Sequence, residues 1–336
     1  MKAVQWPQAD VLFHRDPRWL SSDGAYSLPL RDGRILWLFG DTVVEPRPPY
    51  VRTRAYLKTH GVFLRNTIAI ERGNDPTTAP LRFYWRRQGR HASSFFSEHG
   101  AYWYWPADAV QVDSSLIVFL DRVTTNPKGT PGWNFQGAGW RVAIVRNDSK
   151  APTRWRVRLV APPSRFVGSL DPGEAVTRAG QWVVSLAIPK RGGLRTPGYL
   201  VRWPARELER GRLRSAEWWA GSRGWIRTSN TELLTPVMAD IEGGDSLTFD
   251  RKLGRWVMLG SHGFGATTID AAFAPRIEGP WSRQRFVYRP PESNSPKANV
   301  YAAKGHPELT GADLAVTYST DVYPYLRFVK LSLSRR

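Results

Sequence analysis

Two carboxylates flank a short apolar hairpin: Asp23, in Ser22-Asp23-Gly24, and Asp41, in Phe39-Gly40-Asp41-Thr42. The turn signal Asp32-Gly33 between them predicts that both ends fold toward one rim, which would make a carboxylate pair across a cleft. Glycoside hydrolysis needs such a pair in unlike surroundings, one carboxyl protonated as acid and one ionised as base or nucleophile. The same spacing also suits an Asx-turn at Asp23 and a turn cap at Asp41, so spacing alone leaves both readings standing. The chain contains no Cys. Thiolate nucleophiles, disulfides, iron–sulfur clusters and thiolate zinc sites are therefore excluded, and any chemistry falls to oxygen and nitrogen groups.

Further polar residues recur at a fixed place. Counting back five positions from each of five turn signals lands on Ser27, Asp108, Glu174, Asp245 and His306. In an alternating strand, equivalent register puts such side chains at one level. The alternative is that they are buried polar groups satisfied by backbone. Beside Asp108, the run Tyr102-Trp103-Tyr104-Trp105-Pro106 supplies flat rings with polar edges, which suit the faces and hydroxyl rims of sugars; Trp133, Trp140 and Tyr301 are placed near other such openings. Most of the 16 Trp are expected in packing, with two or three left for ligand. No clustered spacing predicts a tight metal site, and no cofactor is expected; an axial ion near His306 is left open, although a lone His of this kind is more often a hydrogen-bonding residue.

The elements that must position these groups are strands. Arg34–Phe39, Leu116–Leu120 and Trp182–Leu186 are short, β-branched or aromatic, and bounded by Gly, Pro, Asp or Ser. With 29 Gly and 26 Pro as punctuation, long helices have little room; helical turns are expected around Pro204–Leu208 and in short loops. Five hairpins recur, near 25–41, 108–121, 174–189, 245–261 and 306–321, with further strand pairs between them. Such spacing predicts an all-β chain, a five-bladed β-propeller forming one domain over 1–336, in preference to a pair of β-sandwiches, because the recurrence crosses the midpoint without a linker.

Composition bounds the partners. The 336 residues are 41% apolar and 23% charged, with 48 Lys plus Arg against 29 Asp plus Glu, a formal net charge of +19. This is a folded, not a disordered, composition. The excess is mostly dispersed Arg, with pairs such as Arg86-Arg87 and Arg335-Arg336 but no long basic block, so no specific nucleic-acid interface is expected and attraction to an anionic cell-wall surface is. No apolar run is long enough to span a membrane, and the first residues lack the apolar core of a secretory leader. An extracellular or cell-envelope location would need a leader ahead of this chain. A monomer is expected.

The set Ser22-Asp23-Gly24-Ala25-Tyr26-Ser27, Leu36-Trp37-Leu38-Phe39-Gly40-Asp41-Thr42, Arg65-Asn66-Thr67-Ile68-Ala69-Ile70, Trp105-Pro106-Ala107-Asp108 and Tyr301-Ala302-Ala303-Lys304-Gly305-His306-Pro307-Glu308-Leu309 resembles domain of unknown function family 4185. Its members are endo-D-arabinanases that cut the arabinan of mycobacterial arabinogalactan and lipoarabinomannan. The resemblance runs from about Asp23 to about Tyr318 and is specific as a set, weak motif by motif. It implies a five-bladed propeller, a polysaccharide substrate and hydrolysis in the funnel, with the two family acids on Asp23 and Asp41. A related propeller clan of arabinanases and xylosidases has three acids at blade starts, which would map to Asp23, Asp108 and Glu174. The two resemblances agree on Asp23 and compete over its partner. On the hydrolase reading, Asp108, Glu174 and Asp245 are supporting acids that orient the sugar or tune the acid, while Asn66, Tyr102, Trp105, Tyr301, Lys304 and His306 bind substrate. The alternatives are a non-catalytic glycan- or polyanion-binding propeller and, less favoured, a lyase with Tyr301 or His306 as base.

Overall fold

Tight turns set the hairpins. Asp113-Ser114 and Gly180-Gln181 are two-residue connections, with Asp113 at φ 40° and Gly180 at φ 60°, the left-handed conformations that match the twist of paired strands. In this computed structural model, residues 1–336 are described except 99, 130–133, 165, 191–195, 242–243, 262–266, 296–297 and 334–336, so Trp133 and the Arg335-Arg336 pair lie outside the described residues.

Five antiparallel meanders follow in chain order. The first is Tyr26–Pro29, Arg34–Phe39, Thr67–Arg72 and Leu81–Tyr84; the second is Tyr102–Val112, Ser115–Thr125, Phe135–Val145 and Val157–Val160. The third runs from Leu170–Ala179 through Trp182–Pro189, Thr196–Pro204 and Glu217–Trp219 to Trp225–Ile226. The fourth is Ser246–Asp250, Arg255–Ser261, Ile269–Ala274 and Arg285–Tyr288. The fifth, Val300–His306, Leu314–Thr320 and Leu326–Ser332, takes its outer strand from the other end of the chain: Lys2–Gln5 pairs with Leu326–Ser332, Ala3 opposite Leu331. All five anticipated hairpins are present, and the second, third and fifth extend beyond their expected starts. Small helices add Pro7–Asp10 and Arg54–Thr59 to the anticipated turn at Ala205–Glu209.

The chain divides into two compact units, Met1–Phe95 with Ile241–Arg336 and Phe96–Asp240. The first holds meanders one, four and five. Its core includes Phe13, Trp19, Trp37, Phe39, Phe83 and Phe328, with Trp19 stacked on Phe83 at 4.3 Å between ring centroids. The second unit holds meanders two and three around Phe119, Trp140, Trp203 and Trp218. Trp140 is thus a core residue and not a ligand platform, as expected for most Trp.

Of the residues anticipated at one level, Ser27 and His306 do meet, through a hydrogen bond between Ser27 Oγ and His306 Nδ1. The last strand pair before the turn is Pro29–Ile35, Val112–Ser115, Ala179–Trp182, Asp250–Arg255 and His306–Ala315 in the five hairpins, so the loops differ in length. The five residues therefore stand at different distances from their turns: His306 is itself the last paired residue, whereas Asp108 lies well back along its strand. Bulges after Pro106, Pro172 and Tyr301 shift the registers further.

Candidate active site

Asp23 sits in the link between the strands Trp19–Ser22 and Tyr26–Pro29. Gly24 follows at φ 56°, a conformation that favours glycine, and donates its N–H to Ser319 Oγ at 2.9 Å. The two ends of the first hairpin are tied together by backbone: Asp23 N donates to Asp41 O at 3.2 Å, and Gly40 N to Asp23 O at 2.9 Å. The expected convergence of Asp23 and Asp41 on one rim is therefore built by the main chain. Gly40 is needed there, because a Cβ on it would overlap Asp23 Oδ1.

A one-way chain of donors holds the Asp41 loop. Trp19 Nε1 donates to Thr67 Oγ1 at 3.1 Å, Thr67 Oγ1 lies 3.1 Å from Thr42 Oγ1, and Thr42 Oγ1 donates to Gly40 O at 2.8 Å. With Trp19 able only to donate and Gly40 O only to accept, the hydroxyl protons point along that direction.

The two acids occupy unlike settings. Arg65 Nη1 pairs with Asp41 Oδ2 at 3.3 Å, with both side chains partly open to solvent. Asp23 is crowded by protein yet partly exposed, and Tyr301 Oη donates to its Oδ2 at 3.0 Å. Burial first, and the charge of Asp41 second, push the Asp23 carboxyl up to about 7, against the Tyr301 hydrogen bond that favours ionisation. Burial and the adjacent Asp23 push the Tyr301 hydroxyl well above its ordinary value, so it stays a donor.

The other anticipated residues divide between supports and candidates. In the first unit, Asn66 is fully buried; Lys304 is 4% exposed, with Nζ 4.6 Å from the centre of the Tyr26 ring. His306 is enclosed: Nδ1 meets Ser27 Oγ and Nε2 lies 2.7 Å from Thr317 Oγ1, while Ser27 also bonds Glu308. Burial, and then the Lys304 charge, lower His306 to about 3. With both nitrogens engaged and a cation nearby, His306 does not fit an axial metal, and it has no face left for sugar hydroxyls. No group of three or more His, Asp or Glu suited to a metal occurs among the described residues. Asp245 is buried against Gly260, where a Cβ would overlap its carboxylate.

In the second unit, Asp108 is a brace: Oδ1 accepts from Ala109 N and Oδ2 from Val176 N, both at 2.7 Å, joining the second meander to the third. Glu174 is 4% exposed. Tyr102 lies under the Arg122 guanidinium at 3.3 Å, which Glu98 holds by a 2.7 Å ion pair. Trp105 packs edge-on with Phe135, centroids 4.9 Å apart, and stands opposite Asp121 in the sheet.

That last pairing exposes an acid pair the sequence reading missed. Burial and the charge of Asp171 push Asp121 up to about 7. Asp171 rises to about 6 by burial, opposed by Lys190, whose Nζ is 3.9 Å from Asp171 Oδ1. The signal was in the repeat. Trp105-Pro106-Ala107-Asp108-Ala109-Val110 aligns with Asp171-Pro172-Gly173-Glu174-Ala175-Val176, which puts Asp171 at a strand start. Asp41 and Asp121 each follow the apolar run of a second hairpin strand.

The geometry can be set beside known proteins. By structure, the chain is similar to a protein of Bacteroides ovatus ATCC 8483 provisionally described as a hydrolase, with a TM-score of 0.75 at 16% identity over 97% of this chain and 89% of that one. It is also similar to the endo-arabinase of Bacteroides thetaiotaomicron VPI-5482, with a TM-score of 0.51 at 10% identity over 94% and 95%. A GH43_1 enzyme of Xanthomonas citri gives a TM-score of 0.50 at 10% identity over 97% and 93%. At such identities the likeness is one of fold, an all-β fold shared with GH43 enzymes. No curated protein matches the sequence. Residues 8–326 match the family described as domain of unknown function DUF5005, which spans nearly the whole chain and both acid pairs, and it is to this family that the chain belongs.

Proposed function

We propose that this chain is a glycoside hydrolase with the five meanders as the blades of a β-propeller, and that it cleaves arabinofuranosyl linkages as an endo-D-arabinanase of mycobacterial-type arabinogalactan or lipoarabinomannan. The observation that carries the hydrolase reading is the contrast within one pair: Asp23, crowded and raised to about 7, against Asp41, held by Arg65. Two carboxyls pushed apart in this way take separate roles. Asp23 is the proton donor to the leaving oxygen, and Asp41 the ionised base or nucleophile. Tyr301 positions Asp23 and holds its proton equilibrium near neutrality. The choice of arabinan rests on the motif set around Asp23, Asp41 and Tyr301 and on the likeness of fold to an endo-arabinase. The place of action is the cell envelope, where such glycans are found.

The test is release of reducing ends from D-arabinan, with L-arabinan, xylan and galactan in parallel. D-arabinan is expected as the preferred substrate, with oligosaccharide products. Asp23→Asn and Asp41→Asn should each lower the rate by about 10²-fold or more. Preference for another glycan overturns the substrate and leaves the pair standing. Full activity in either variant overturns the pair.

A further inference from the structure

Two adjoining cavities of about 660 and 710 Å³ open on the second unit, lined by none of the four paired acids, and share Pro163, Leu213, Arg214 and Arg227 as walls. They form one groove, and each lobe has the volume of a small-ligand site. Its charge is one-sided. Arg212, Arg214 and Arg227 face Glu207 as the one acid among the lining residues. Glu207 is already shared by Arg210 and Arg212, each at 3.2 Å. Arg227 is held only loosely, 3.8 Å from a Glu217 whose other oxygen takes Arg202 at 2.8 Å. Arg214 is exposed, and no described residue makes an ion pair or hydrogen bond with it.

The remaining walls are suited to sugar. Phe166, partly exposed, lines one lobe and is backed by the buried Trp218, 5.4 Å away between ring centroids. Hydroxyls stand at the edges: Ser164, Thr228 and Ser229 in that lobe, Ser215 in the other. Guanidinium forks recognise carboxylate and phosphate in a planar, two-point fashion, and aromatic faces with hydroxyl rims suit pyranose and furanose rings. An unpaired Arg214 beside a loosely held Arg227 spends little in giving up existing partners.

We propose that this groove is a second, non-catalytic site that binds a segment of an anionic glycan, with Arg214 and Arg227 gripping carboxylate or phosphate groups on a chain of sugars. It does not rest on the hydrolase reading. The site gives the dispersed positive charge of the chain a specific place to act, holding the protein on an acidic polymer.

Calorimetric titration of the full chain with tetragalacturonate, inorganic tetrapolyphosphate, neutral galactotetraose and a short DNA duplex tests it. Binding of either acidic oligomer is expected, about tenfold or more tighter than the neutral one and weakening as salt rises. Tighter tetragalacturonate assigns the site to uronate chains; tighter tetrapolyphosphate assigns it to phosphate-bearing ones. The double variant Arg214→Ala/Arg227→Ala should lose about tenfold or more of that affinity, with an unchanged thermal midpoint, since both side chains are exposed. No binding of either acid, equal binding of galactotetraose, tighter binding of DNA than of both acids, or an unaltered double variant each overturns the proposal.

Discussion

Replacing Tyr301 by Phe deletes one hydroxyl and keeps the ring. That hydroxyl donates to Asp23 Oδ2 at 3.0 Å, and it opposes the burial and the Asp41 charge that raise the Asp23 carboxyl. A hydrogen bond to a charged group contributes about 1.5–3 kcal/mol. At about 1.4 kcal/mol per unit, its loss moves Asp23 upward by about 1–2 units. If Asp23 is the proton donor, the alkaline limb of kcat/KM moves up by the same amount. The variant should then outperform the wild type on the alkaline side while losing rate at neutrality, because a weaker acid protonates the leaving oxygen less readily. The assay is kcat/KM against pH on D-arabinan oligosaccharides, with ¹³C-carboxyl NMR following Asp23 directly. An alkaline limb that stays or falls refutes the reasoning. Movement of the acid limb instead makes Asp23 the base, and an unaltered Asp23 titration removes Tyr301 from the site.

Further outcomes follow from the same contacts. Gly40→Ala should leave the fold intact but displace the Asp23 carboxyl, lowering kcat by about tenfold or more with little change in KM, because the new Cβ overlaps Oδ1. Glu71 is fully buried; burial raises it to about 7, with Glu308 and Asp75 adding to the rise and the Trp37 N–H and Arg15 opposing it. A folded-state value above the unfolded one means stability is greatest at low pH and is lost as pH rises toward 7, by about 3 kcal/mol. Glu71→Gln should flatten that fall in thermal midpoint between acid and neutral pH, and a parallel fall in both proteins would contradict it. Asp171→Asn removes the charge that helps raise Asp121, so the Asp121 carboxyl should titrate lower by NMR; an upward shift refutes the coupling. Asp108→Ala strands the N–H groups of Ala109 and Val176 and should destabilise by about 2–4 kcal/mol in urea unfolding.

The hairpins were legible because strand alternation and turn residues are local: Asp32-Gly33, Asp113-Ser114 and Ala179-Gly180 each mark a turn without reference to the rest of the chain. Asp23 and Asp41 were legible for the same reason, since one hairpin joins them. The turn signals located the hairpins but did not report loop length or bulges, which decide how far from its turn each inner-strand polar residue stands. Asp108 and His306 were read as facing a ligand, and their partners, Val176 and Thr317, show instead a brace and an enclosed ring. The Asp121–Asp171 pair escaped because its members lie on separate meanders.

The amino-acid sequence by itself determined an all-β chain of five hairpins, chemistry confined to oxygen and nitrogen groups, and a carboxylate at each end of the first hairpin. Tertiary structure decided what those carboxylates are. Protonation depends on the field and solvent around a group, and for Asp23 these come from its crowded setting, from the Asp41 charge and from Tyr301, 278 residues away along the chain. No local pattern of residues carries that information.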